Sequence, residues 1–274
     1  MPDSGSYDVR ERHRNTEAEI ARLKAQALLS WEREARTLAA FGLRDGMDVL
    51  EPGSGPGFVT EQLLRLVPNG SVTCVEVDPM LAARSKEYLT ARATGRFRIV
   101  EGTVTGMDLP DNSFDFAVAR VLFQHLRDPV AAGKEIRRVL KPGGKLVIID
   151  VDDAAWGLSE PEFPEIPEIL IRYGKAQAAR GGDRRIGRRL WGILSKAGFE
   201  ELELEAVLTH SHKTGLDPFL PMIDPDRLIP LVRGGLMTEA EVTGIRGARD
   251  RFVQTPNAAL YSFTFLASGE KPKA

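Results

Sequence analysis

Gly53, Gly55 and Gly57 occupy alternate positions just after an apolar run that ends in Glu51, within the stretch VLEPGSGPGF (49–58). A strand that runs into such a turn lets a ligand press against backbone that any Cβ would block. The helix that follows offers free N–H groups to a polar ligand. The plain structural use of the same residues is a tight turn. A second acid, Glu76, closes the run SVTCVEV (71–77), 19 residues beyond Gly57. In a doubly wound sheet that position falls at the carboxyl edge of the neighbouring strand, where an acid can hold both hydroxyls of a ribose. A nicotinamide dinucleotide also suits a glycine turn with a distal acid, but its pyrophosphate asks for G-x-G-x-x-G. Here the spacing is G-x-G-x-G with Phe58 next, and no second mononucleotide half follows.

Groups able to move a proton or hold an acceptor stand near the ends of later apolar runs. His125, in FQHL, follows the run FDFAVAR (114–120) and is a candidate general base; the alternative is packing or capping. Asp150, Asp152 and Asp153 close the run KLVIIDV and its continuation. Strand alternation sends Asp150 and Asp152 to one side and Asp153 to the other, to touch substrate or to cap the next loop. His210, His212 and Tyr173 are further candidates for lining a pocket, against exposed-loop and packing roles. The stretch ARGGDRRIGRR crowds Arg180, Arg184, Arg185, Arg188 and Arg189 together, usable by an anionic substrate or a nucleic-acid backbone, or simply a solvated helix face. No aromatic interleaving suggests base stacking. Cys74 is the only cysteine and no H-x-x-x-H or H-E-x-x-H is present, so no metal is expected.

The elements that must carry these groups alternate in type. Strand-like runs at 47–52, 71–77, 97–102, 114–120 and 145–151 are separated by helical periodicities at 58–67, 79–92 and 128–140. Apolar strands alternating with helices predict a parallel sheet covered on both faces. A helix is expected over 16–41. After Asp153 the rhythm breaks in the proline-rich AAWGLSEPEFPEIPEI, read as a loop. Helices follow at 166–180 and after Asp183, then an alternating strand at 199–208. Two helical pieces lie within 213–257, the second opened by a Thr238–Glu241 capping box, and a last strand covers 259–269. The expected organisation is a helical cap (1–41), a core (42–153), a lid segment (154–182), a core continuation (183–212), a helical lid insertion (213–257) and a final strand with its tail (258–274). Trp31, Trp156, Phe163, Tyr173, Phe219, Met222 and Met237 give the three outer segments bulky groups suited to enclosing a pocket, or to seating helices on the sheet.

The chain has 274 residues and a formal charge of −2, against a dedicated nucleic-acid binder. It has no run approaching the roughly 20 apolar residues of a membrane span. Its polar N-terminus, MPDSGSYDVRERHRN, lacks an apolar signal core, so a soluble cytoplasmic protein is expected.

The order of VLEPGSGPG, VTCVEVDPML, DLPDNSFDFAVARVLFQHL and EIRRVLKPGGKLVIID strongly resembles class I S-adenosylmethionine-dependent methyltransferases. The likeness is to stand-alone bacterial enzymes that modify small molecules, including the ubiquinone/menaquinone type. It spans residues 40–152 and continues more loosely through GGDRRIGRRLWGILSKAGF. The resemblance implies an α/β, Rossmann-like sheet of seven strands, mostly parallel with the last antiparallel, plus helical lid additions. It implies S-adenosyl-L-methionine as cofactor and S-adenosyl-L-homocysteine as product. Glu51, Gly53, Gly55 and Gly57 would flank the amino-acid part of the cofactor. Glu76 would bind the ribose, Val77 or Met80 would pack on the adenine, and the backbone near Arg120 would face the methionine moiety. Thr103 stands where the family usually has an acid that accepts from the adenine amino group, and the Val104 N–H could donate to the ring. His125 and Asp152 are the catalytic candidates, and Trp31, Asp153, Tyr173 and His210 the substrate contacts. The expected partner is a small-molecule methyl acceptor, with a homodimer as a further candidate. Alternatives are a cofactor-binding regulator without transfer, and a transferase acting on nucleic acid or protein.

Overall fold

The structure is a computed structural model that describes residues 5–93, 95–155 and 157–273; Trp156, expected in the lid, lies outside them. Five parallel strands form the frame: β1 (Asp48–Pro52), β2 (Ser71–Glu76), β3 (Phe97–Glu101), β4 (Phe114–Arg120) and β5 (Leu140–Val151). Two-residue periodicity splits their side chains between two layers. Leu50, Ala117, Ala119, Leu146 and Ile148 join one apolar cluster. Val49, Phe116, Val118, Val147 and Ile149 join the other. Both faces of the sheet are therefore buried, as parallel pairing requires.

Helices cover each layer. α5 (Pro129–Val139) and α7 (Leu190–Ala197) seal the first through Ile136, Val139, Ile193 and Leu194. On the second lie α1 (Thr16–Leu29), α2 (Trp31–Ala40), α3 (Phe58–Leu66) and α4 (Pro79–Thr90), through Ala27, Leu38, Leu63 and Leu89. The single helix expected over 16–41 is interrupted at Ser30, which ends α1 and begins α2. The Ser30 hydroxyl donates to Glu34 Oε1 at 2.5 Å, a local bond that competes with a continuous helix.

β8 (Ala259–Glu270) runs antiparallel to β5 on one side and to β7 (Glu200–His210) on the other. The strand order is β3-β2-β1-β4-β5-β8, with β7 outside β8. The sheet has eight strands rather than seven: the expected loop after Asp153 contains β6 (Leu158–Glu160), which pairs with the start of β8 at Ala259–Tyr261. Three prolines hide this strand from sequence reading. It is short, and it lies beside the part of β8 that extends beyond β5.

The outer segments form a roof. α6 (Glu165–Ala178) and α10 (Glu239–Gln254) flank a set of short pieces: α8 (Ser211–Thr214), α9 (Ile229–Arg233), and 3-10 turns at Asp217–Met222 and Pro225–Leu228. Thr238 and Glu241 form the expected reciprocal cap of α10. Two small clusters hold this roof, one around Phe163, Phe219 and Phe252, the other around Tyr173, Leu228 and Met237. Among the described residues no helix is long and apolar enough to cross a membrane.

Candidate active site

A cavity of about 450 Å³ lies over the carboxyl ends of β1, β2, β4 and β5, where a doubly wound sheet places its ligands. Its floor is the glycine turn. Gly53, Gly55 and Gly57 all have positive φ, at 70°, 55° and 84°. Their roles differ. A Cβ on Gly53 would meet Leu122 Cδ1 at 2.8 Å, whereas one on Gly55 would meet nothing within 4 Å and would project into open space. Gly57 does not line the cavity. A Cβ there would lie 2.6 Å from Ser85 Oγ, so this glycine lets α3 and α4 close together. The third glycine thus serves packing although it comes one position earlier than in a dinucleotide turn.

Two acids face the turn. Glu76 is buried, and its two oxygens accept the N–H groups of Gly55 at 2.7 Å and Asp78 at 2.9 Å. Burial nevertheless raises its pKa above the ordinary carboxylate range. Glu51 is 2% exposed and accepts from Thr60 Oγ1 at 2.5 Å. Burial pushes its pKa up to about 8. Val77, Thr103 and Val104 also line the cavity. Met80 does not: it sits in the first turn of α4, with its N–H capped by Asp78 at 2.8 Å. Thr103 Oγ1 is 3.1 Å from Thr105 Oγ1, so the hydroxyl that replaces the family's acid already has a partner.

The strand end of β4 anchors the cap. Arg120 lines the cavity, but its guanidinium points to the cap, giving Nε to Glu34 Oε2 at 2.7 Å and Nη2 to the Gln26 carbonyl at 3.0 Å. Val121 follows at φ 54°, a left-handed conformation uncommon for a β-branched residue, and it borders the cavity. Gln124 then binds Asp150 through its backbone N–H at 3.0 Å and its amide at 3.1 Å. Asp150 is fully buried, and burial lifts its pKa to about 7.

His125 lines the cavity, with Nδ1 3.0 Å from Ser6 Oγ and its ring 5.1 Å from that of Tyr7. Burial, reinforced by the positive charges of Arg12, Arg184 and Arg22, holds its pKa well below the usual histidine value. The imidazole is therefore neutral.

Of the remaining candidates, Asp153 and Tyr173 line the cavity. Asp152 does not. It lies one residue past the end of β5 and is tied to Arg188 through both oxygens. His210 ends β7 outside the lining, beside His212 and Tyr261. Trp31 packs in the second core layer, 9% exposed. Among the described residues no three His, Cys, Asp or Glu groups could hold a metal.

Several lining residues escaped sequence reading. Tyr7, Glu19 and Arg22 come from the cap, and Arg227 from the roof. Tyr7 Oη donates to Glu19 Oε1 at 2.8 Å, and Arg22 grips both Glu19 oxygens at 2.8 Å. Arg184 also faces the cavity, paired with both oxygens of Asp153, whereas Arg188 and Arg189 bind Asp152 and Asp183. Tyr7, Glu19 and Arg22 belong to no recognisable motif. An excess of arginine at 180–189 was the one sequence signal.

A methyltransferase-domain family model matches residues 50–148. The ubiquinone/menaquinone biosynthesis C-methyltransferase UbiE of Shewanella woodyi is 30% identical over 186 residues, 63% of this chain and 73% of that protein. A malonyl-[acyl-carrier protein] O-methyltransferase of a Paenibacillus is 26% identical, over 73% of this chain and 68% of its own length. The chain spans only 59% and 46% of the length of two other curated relatives. Among solved structures, a Haemonchus contortus phosphoethanolamine N-methyltransferase 2 superposes with a TM-score of 0.55 at 20% identity, covering 88% of this chain and 53% of that one. This last likeness is one of fold.

Proposed function

The chain belongs to the class I S-adenosylmethionine-dependent methyltransferases, and from that premise we propose that it methylates an oxygen, nitrogen or carbon nucleophile of a small metabolite held beneath its roof. The observation that carries this reading is the continuity of the cavity. One space joins the glycine turn and Glu76 to Tyr7, His125 and Tyr173, so a cofactor and an acceptor can meet inside it. The residues fit the cofactor: at Gly55 a side chain would enter the space, and Glu76 stands buried at its edge. Gly53, Gly55 and Glu51 would hold its amino-acid part, Glu76 its ribose, and Val77, Thr103 and Val104 its adenine. When bound, S-adenosylmethionine supplies a methyl group already activated on a sulfonium.

The protein's contribution is then mainly to position and to exclude water. Orientation alone can supply several kcal/mol of such a barrier. Asp150 fixes the loop that carries His125 through both Gln124 contacts. A neutral His125 can accept a hydrogen bond from an acceptor hydroxyl or amine and orient its lone pair. Its depressed basicity leaves little driving force for taking a full proton. Cap and roof residues such as Leu23, Phe163 and Met222 shield this end from solvent.

Two measurements test the reading. S-adenosylhomocysteine should raise the unfolding midpoint of the protein, and NAD should not. Methyl-labelled S-adenosylmethionine incubated with protein and a metabolite extract should then yield a labelled small molecule. Binding without any labelled product would make the protein a regulator instead.

A further inference from the structure

The acceptor end of the cavity is built with unmatched positive charge. The guanidiniums of Arg12, Arg22, Arg184 and Arg227 all border it. All four lie close enough to the Tyr173 phenol to lower its pKa against the raising effect of burial. Two carboxylates, Glu19 and Asp153, stand among them, and both are fully engaged. Glu19 takes Arg22 on both oxygens and Tyr7 on one. Asp153 takes Arg184 on both. Asp224, a further acid in the lining, is 36% exposed and lies 3.6 Å from His13.

Arg12 and Arg227 are left with carbonyls alone. Arg12 Nη2 donates to the Ser6 carbonyl at 2.6 Å, and Arg227 Nη1 donates to the Met222 carbonyl. Neither forms a salt bridge among the described residues. Arg12 Nε is buried with no acceptor among the described residues. A buried donor without a partner is unfavourable, more so on a charged group, and native structures usually fill such a place with a ligand or water. Burial lowers the Arg12 pKa to about 10, with repulsion from Arg184 next, and the nearby charge of Glu19 offsets this only in part. Rings and alkyl groups complete the chamber: Arg12 lies 5.3 Å from the centre of the Tyr7 ring, and Arg227 lies 5.6 Å from that of Tyr173, with Ile169 and Leu170 beside them.

Resting on the methyltransferase reading above, we propose that the methyl acceptor is an anion, a carboxylate or phosphate carried on an apolar body, with its charge docked between Arg12 and Arg227. A guanidinium presents a planar fork matched to either oxyanion, and such charge-assisted pairs are the strong ones. Arg22 and Arg184 keep Glu19 and Asp153 occupied, so neither of these two carboxylates competes with the incoming anion.

The test uses the whole protein saturated with S-adenosylhomocysteine. A thermal shift on adding that nucleoside is read first; its absence overturns the parent reading. Phenylacetate, phenyl phosphate and phenylacetamide are then added, each at about ten times a millimolar dissociation constant. An anion that binds should raise the midpoint by about 2–3 °C, and the neutral amide should not. A response to phenylacetate alone identifies a carboxylate acceptor, and a response to phenyl phosphate alone a phosphorylated one. The double variant Arg12→Gln/Arg227→Gln should lose the anion response and keep the nucleoside response, whereas Arg189→Gln, on the outer surface, should keep both. An equal response to the amide, no response to either anion, or an anion response that survives in the double variant would overturn the proposal.

Discussion

Replacing Glu51 with glutamine should remove a pH dependence from the stability of the ligand-free protein. Glu51 is 2% exposed, and burial raises its pKa from 4.5 to about 8. Because the folded-state pKa lies above the unfolded one, the folded state gains relative stability from keeping this proton. That gain is complete below about pH 4.5 and disappears as pH rises through about 8. One pKa unit corresponds to about 1.4 kcal/mol, so the loss approaches about 5 kcal/mol across the window. Glutamine retains an oxygen to accept from Thr60 but has no proton to lose. Urea unfolding at half-unit intervals from pH 5 to 9 should therefore show the two proteins diverging, with the variant increasingly the more stable. Glu76 and Asp150 also carry raised pKa values, but both remain in the variant, so the difference between the curves isolates Glu51. Parallel curves would refute the buried, proton-bearing Glu51. The same charge predicts that S-adenosylhomocysteine affinity rises more steeply from pH 6 to 8 in the parent than in the variant, by calorimetry.

Glu76→Ala should weaken S-adenosylhomocysteine binding by about 10- to 100-fold in calorimetry, since it strips an acceptor from the Gly55 and Asp78 N–H groups as well as from the ligand. Gly57→Ala should lower stability by about 2–4 kcal/mol in urea titration, from positive φ and the 2.6 Å approach to Ser85, with affinity changed little in the protein that remains folded. Gly55→Ala should do the reverse, with a stability loss of only about 1–2 kcal/mol and an affinity loss of tenfold or more. Histidine at 125 should leave no limb near pH 6.5 in the rate of labelled methyl transfer, because its pKa is held well below that value. An acid limb that vanishes in His125→Gln would establish a general base instead.

The half of the site that holds the cofactor was legible because backbone does most of its work. Alternate glycines, an acid at a strand end and a two-residue apolar period are local patterns, and they fall at residues 49–58, 71–76 and 114–120. Even there, sequence could not separate Gly55, which opens the cradle, from Gly57, which closes two helices. That distinction depends on Ser85 and Leu89, nearly 30 residues away. The acceptor half left little trace. Arg12 and Arg22 precede any motif, and Arg227 lies within the second of two short turns that carry Pro221 and Pro225. Their chemistry exists only where three distant segments converge. Asp152 and Asp153 show the limit of alternation: the strand ends at Val151, and the turn beyond it sends Asp153 to Arg184 and Asp152 to Arg188.

The two coverings of the cavity are attached to the sheet in different ways, and this bears on how ligands enter. The cap is part of the main core: Ala27, Trp31 and Leu38 lie in the same cluster as the sheet, and the buried Arg120–Glu34 pair ties α2 to the end of β4. Removing one partner of a buried pair strands the other charge, at a cost of about 3–5 kcal/mol, so separating this joint is expensive. The roof is held mainly by two smaller clusters, around Phe219, where Leu260 of β8 and Leu29 of α1 also join, and around Leu228. A unit that keeps its core when it moves exposes less apolar surface than one sharing a core with the sheet. We expect opening of the cavity to fall to α6, α10 and the turns between them. On that expectation the cap, with Arg12 and Arg22, is the fixed wall, and Arg227 moves with the roof. An anion bridging Arg12 and Arg227 would then join the moving part to the fixed part, so that acceptor binding itself favours the closed cavity in which transfer takes place.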